Sequence, residues 1–211
     1  MSKKEVKFSV GLGLFDYINP IFYAITTITL IINLKGLMAT PLYIAYIVGA
    51  CLSMIFGLTI PTVKLLVGLG KFEFKMPVNL VFYVNTGILI SGLMLLKHVF
   101  NLNVYVWIII FVIILFLLFL IYKKTQKFNT VAVLTGAFGY IMIYSSLITL
   151  AINSGVITSV VLYCIATIFF LGLCGIGIKA NLKDARIHWI IETCNVLCQM
   201  FVAIATVVLF L

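Results

Sequence analysis

His188, Glu192, Asn195 and Gln199 follow one another at spacings of four, three and four within a mostly apolar run that ends at Leu211. On an α-helix, at about 100° per residue, they point in nearly one direction, and Thr206 rejoins them two turns further on. A carboxylate, an imidazole and two carboxamides on one greasy helix are costly unless that face looks onto protein, water or a ligand. Asn195 and Gln199 are suited to hydrogen-bonding a polar solute. Glu192 and His188 are suited to exchanging a proton, because the surroundings of a group withdrawn from water set its proton affinity.

Other polar groups fall at helical spacing in other apolar runs. Asn85 is deep enough in its run to need a partner, Tyr140 and Tyr144 sit on successive turns, and Asn33 and Asn153 end two related segments. Together with Asn195 and Gln199 these are the candidate solute-binding residues. Lys64 follows Pro61 near the end of its run, and it is expected to snorkel to the interface, with an ion pair to Glu192 as the alternative. Gly49, Ser53 and Gly57, four apart, are expected to admit a neighbouring helix closely.

The same inventory argues against an enzyme. A nucleophilic or metal-assisted site needs converging His, Asp and Ser groups. His98 and His188 are the two histidines, and they lie at opposite ends of their runs. Cys194 and Cys198 point away from His188, so no metal site is expected, and the five cysteines read as small buried hydrophobes. There is no phosphate-binding Gly-x-x-x-x-Gly-Lys-Ser loop, and no cofactor is expected.

These residues need a membrane to position them. The composition is 64% hydrophobic and 9% charged over 211 residues, with a mean hydropathy of +1.30, far from that of soluble domains. Seven apolar runs, roughly 17–35, 41–66, 77–97, 104–122, 131–152, 156–178 and 186–211, nearly exhaust the chain. The expected fold is all-α: a single polytopic membrane domain over 1–211 with seven transmembrane helices. Ahead of the first run, residues 6–17 read as a short interfacial helix, with Asn19 capping the span opened by Pro20. The fourth run has no polar residue over Trp107–Ile121 and suits lipid on most sides.

The formal net charge of +9 is explained by topology. Lys3, Lys4, Lys7, Lys71, Lys75, Lys123, Lys124, Lys127, Lys179, Lys183 and Arg186 fall in alternate connections, against Lys35 and Lys97 in the others. The positive-inside rule then puts the N-terminus in the cytoplasm and the C-terminus outside, in the plasma (cytoplasmic) membrane. No nucleic-acid partner and no cleaved signal peptide are expected. Membrane lipid and a small polar solute are the expected partners, and assembly as a homo-oligomer is left open.

The chain also repeats itself. Ile28-Thr29-Leu30-Ile31-Ile32-Asn33 matches Ile148-Thr149-Leu150-Ala151-Ile152-Asn153 at five of six positions. At the same offset of 120, Leu42-Tyr43 matches Leu162-Tyr163 and Gly57 matches Gly177. With a ten-residue loop adjustment, Asn85 falls on Asn195. The expected architecture is therefore two parallel three-helix repeats, within 1–97 and 131–211, joined by a linker helix at 104–122.

This three-plus-one-plus-three layout resembles the SWEET sugar transporters and the Pnu-type vitamin transporters. In the SWEET family an asparagine on the third helix and one on the seventh flank the substrate, so the resemblance implies that role for Asn85 and Asn195. The inside N-terminus is similar to the Pnu group. The chain lacks a Pro-Gln motif, and it has only Trp107 and Trp189 where the Pnu group has a tryptophan-rich pocket. The expected function is a permease for a small neutral or cationic polar solute, facilitative or proton-coupled, with its site between the repeats near the midplane. A channel, receptor or accessory subunit is the alternative, and an intramembrane lipid-modifying enzyme comes third.

Overall fold

A computed structural model of the chain describes residues 9–71, 78–179 and 185–211. Within those residues every element is an α-helix: α1 (Val10–Asp16), α2 (Ile18–Leu34), α3 (Thr40–Gly68), α4 (Val78–Val99), α5 (Val104–Thr125), α6 (Phe128–Asn153), α7 (Ile157–Lys179) and α8 (Ala185–Leu209). With α1 and α2 taken together as Val10–Leu34, seven helices are long and apolar enough to cross a membrane. Lys3, Lys4, Lys7, Lys75 and Lys183 lie outside the described residues.

Short turns join consecutive helices. Gly36 and Gly155 adopt φ of +81° and +72° just past the ends of α2 and α6, the left-handed conformation that glycine takes without a Cβ penalty. Asn103 caps α5 by accepting from the Tyr105 N–H at 2.9 Å.

The first apolar helix begins earlier than the sequence pattern indicates. Tyr17, at φ −64° and ψ −20°, carries α1 into α2 with helical geometry. Rather than lying apart, α1 packs on the end of α3. Two glycines make this approach possible: a Cβ on Gly13 would stand 2.8 Å from the Leu65 Cα, and one on Gly68 would stand 2.9 Å from the Val10 nitrogen. Phe15 lies 5.6 Å from Trp189 between ring centroids. Asp16 and Asn19 are thereby drawn into the bundle, and Asn19 sits one residue inside α2, not at its cap.

The centre of the bundle is α6, which packs against α4, α5 and α7. Its small residues set that position. Ala132, Gly136 and Gly139 are buried, and a Cβ on Gly139 would stand 2.7 Å from the Ile88 carbonyl carbon. On α3, Gly49 and Ser53 do what their spacing indicates: a Cβ on Gly49 would meet the Gly87 oxygen at 2.8 Å, and Ser53 Oγ donates to the Val84 carbonyl at 2.9 Å. Gly57 does not continue that contact, since a Cβ there would meet nothing within 4 Å. In contrast to α6, α5 buries only Ile114 and Leu118 and exposes most of its other large apolar side chains.

Candidate functional site

The site is organised by a closed ring of four buried polar side chains drawn from four helices, α1, α2, α3 and α8. Lys64, four residues before the end of α3, donates from Nζ to Asp16 Oδ2 at 2.6 Å and to Glu192 Oε1 at 2.5 Å. Asn19 completes the ring, its Nδ2 donating to Asp16 Oδ1 at 3.0 Å and to Glu192 Oε2 at 3.2 Å. Asp16, Asn19, Lys64 and Glu192 are 5%, 8%, 7% and 6% exposed, so both ion pairs are withdrawn from solvent. In such surroundings a single charge without its partner is far more costly than the pair.

Each acidic oxygen receives one donor, and the ring is geometrically complete. With both carboxylates ionised its charges do not balance, because two then face one ammonium. Lys64 therefore does not snorkel. With Asp16 folded in from α1, two counter-charges lie within reach of its amine, and this outweighs the pull of the interface.

A cavity of about 230 Å³ opens from the ring toward the middle of the bundle. At its charged end are Asp16, Asn19, Lys64 and Glu192, and further along are Asn195, Gln199, Ser53 and Tyr140. At about 1.5 Å per residue, Gln199 lies about 10 Å beyond Glu192 along α8, and Ser53 about 16 Å beyond Lys64 along α3. Tyr23 supplies a second aromatic ring, and Pro20, Gly57, Ile60, Pro61, Val84 and Ile88 complete the wall. Pro61 has no N–H, so the carbonyl of Gly57, four residues back, lacks its helical donor on the same wall. Asn19 Oδ1 is buried without a hydrogen-bond partner among the described residues.

The expected site residues separate into three groups. Glu192, Asn195, Gln199 and Tyr140 share the cavity. Gln199 Nε2 donates to the Tyr140 hydroxyl at 3.1 Å, while no hydrogen bond to a described residue engages the Asn195 side chain. Tyr144 and His188 are buried just outside the cavity: the Tyr144 ring lies 5.6 Å from that of Tyr140 and its hydroxyl is 3.1 Å from Cys198 Sγ. His188 has interactions of its own.

Asn85, Asn33 and Asn153 are not brought to the cavity. Asn85 Nδ2 donates to the Ala132 carbonyl at 2.8 Å, and its Cγ lies 2.6 Å from where a Gly136 Cβ would be, so it is wedged between α4 and α6. Asn33 donates to the Thr29 carbonyl at 2.9 Å near the end of α2, and Asn153 is exposed at the end of α6. No cluster of three or more potential metal ligands occurs among the described residues.

Asp16 and Asn19 were the members of the ring that the sequence pattern did not indicate. A signal was present, since Asp16, Asn19 and Tyr23 recur at helical spacing, and an acidic partner was the alternative to snorkelling for Lys64. No family model, no curated protein and no solved structure matches the chain.

Proposed function

We propose that the chain is a membrane permease for a small polar solute, with its site in the cavity beside the Asp16–Lys64–Glu192 ring. The observation that carries this reading is the cavity itself. A water-sized void would be filled by packing, whereas this one joins a buried charged ring to carboxamide and aromatic groups near the middle of the helices. Glu192 is the proton-coupling residue in this reading, and Asn195, Gln199 and Tyr140 contact the solute.

The two-repeat architecture belongs to the same proposal, and the helix pairing supports it. The pairs α2–α8, α3–α4 and α2–α3 recur as α6–α4, α7–α8 and α6–α7 when each helix of the first three is exchanged with its counterpart in the last three. That exchange is expected of parallel repeats about an axis along the membrane normal. The N-terminus is proposed to be cytoplasmic, and the resemblance to the SWEET and Pnu-type layout is proposed on the same footing.

Tracer uptake into proteoliposomes tests the function: saturable uptake that is lost in Gly57→Leu is expected. Non-saturable ion conductance would instead identify a channel, and absence of flux with any polar solute would remove the permease. For orientation, Lys124→Cys should resist an impermeant thiol reagent applied to intact cells, and labelling from outside would reverse every connection.

A further inference from the structure

We propose that the cavity takes a small protonated amine, whose ammonium is held by the uncompensated carboxylate charge of the ring and by vacant acceptors beside it. As a statement about the transported substrate this rests on the permease reading; as a statement about binding it stands on the site alone.

Charge gives the first argument. With both carboxylates ionised, Asp16 and Glu192 leave the ring one negative charge in excess of Lys64, and buried excess charge calls for a counter-ion. Among the residues that line the cavity, Lys64 is the one cation.

Hydrogen bonding gives the second. Asn19 is 8% exposed, and both Nδ2 protons go to carboxylates. Turning the amide over would set its oxygen against those two carboxylates, so Oδ1 is held where no described residue donates to it. Gly57, whose carbonyl loses its helical donor to Pro61, lies on the same wall. Among the lining residues the one cationic donor, Lys64, is committed to the carboxylates and Gln199 Nε2 donates to Tyr140, while the Asn195 amide can donate and accept alike. A ligand rich in N–H groups fits this imbalance, and an anion does not.

Size gives the third. At about 30 Å³ per water, a cavity of about 230 Å³ exceeds what a bare metal ion fills, and the Tyr23 and Tyr140 rings in its wall suit an organic cation.

The test uses the full chain, purified in nanodiscs, with butylamine, butanol and sodium chloride compared by calorimetry and thermal shift at constant ionic strength and neutral pH. Butylamine is expected to bind, while butanol and sodium are not. Glu192→Gln, which removes the excess charge and keeps the shape, is expected to weaken butylamine at least about tenfold. Gly57→Leu fills the cavity from a position whose Cβ meets nothing within 4 Å, and it is expected to keep its fold and lose the amine. Equal binding of butanol, stabilisation by sodium alone, or unchanged amine binding in Gly57→Leu would each overturn the proposal. Amine binding without uptake into proteoliposomes would retain this site and remove the permease. Saturable uptake of neutral solutes with no amine binding would do the reverse.

Discussion

The α4–α6 and α2–α8 interfaces hold corresponding places in the proposed duplication, yet one is shut and the other is open. On the closed side Gly136 lies under Asn85, Gly139 lies against the backbone of Ile88 and Leu89, and a Cβ on Gly92 would stand 2.6 Å from the Gly139 oxygen. On the open side the 120-residue offset puts Asp16 where the closed side has Gly136, and Asn19 where it has Gly139. Two glycines that let backbones touch are answered by two polar side chains that hold them apart around Glu192. In the proposed duplication, one interface keeps the close approach that fixes the scaffold, and its counterpart gives up that packing for a charged cavity.

The largest effect should come from removing the shared cation. Lys64→Met leaves two buried carboxylates facing each other, and losing one partner of such a network costs about 3–5 kcal/mol. Thermal unfolding of the purified protein should show a large drop, partly recovered in Lys64→Met with Glu192→Gln, because the second change removes one of the stranded charges. Glu192→Gln alone should cost less, since Lys64 keeps Asp16. A Lys64→Met protein that melts like the wild type would mean that the ring is not the structural centre of the open interface.

Next in size is a matched pair of glycine substitutions. Gly139→Leu drives a side chain into the Ile88 and Leu89 backbone and should destabilise by about 1–3 kcal/mol or more, as overpacking does. Gly57→Leu enters the cavity and replaces a helical glycine, so stability should hold or rise by up to about 1 kcal/mol. Equal losses in the two proteins would show that the α3 wall is packed as tightly as the α4–α6 seam.

Much of the fold was legible because hydrophobic runs of membrane-spanning length leave few alternatives, and six of the seven expected runs fall on the observed helices with only small shifts at their ends. The exception was the first, where Gly11 and Gly13 in a mixed stretch read as a separate interfacial piece. In the bundle Gly13 serves close approach to Leu65, and this carries Asp16 inward. Half of the ring, Asp16 and Asn19, was missed for that reason. The polar face of α8 was legible from spacing alone, because a helix shows its own periodicity. Which carboxamide faces a cavity was not, since that depends on what the neighbouring helix presents.

Asn85 and Asn195 make that last point testable, and they carry the smallest expected effect. Both are asparagines at matching register in the proposed repeats, but Asn85 donates to the Ala132 carbonyl over a glycine, while Asn195 stands in the cavity wall without a hydrogen bond to a described residue. Asn85→Ala removes an interhelical hydrogen bond and some packing, and should lower stability by about 1 kcal/mol, with solute affinity unchanged in binding titrations. Asn195→Ala removes no described hydrogen bond and should leave the melting temperature within error, while weakening a bound solute by about fivefold to tenfold, the worth of one hydrogen bond of roughly 1 kcal/mol. The two proteins should therefore fail in opposite assays. If Asn85→Ala impairs binding as much as Asn195→Ala does, both asparagines flank the solute in some state of the protein, and the division into a closed scaffold and an open site gives way to a symmetric one.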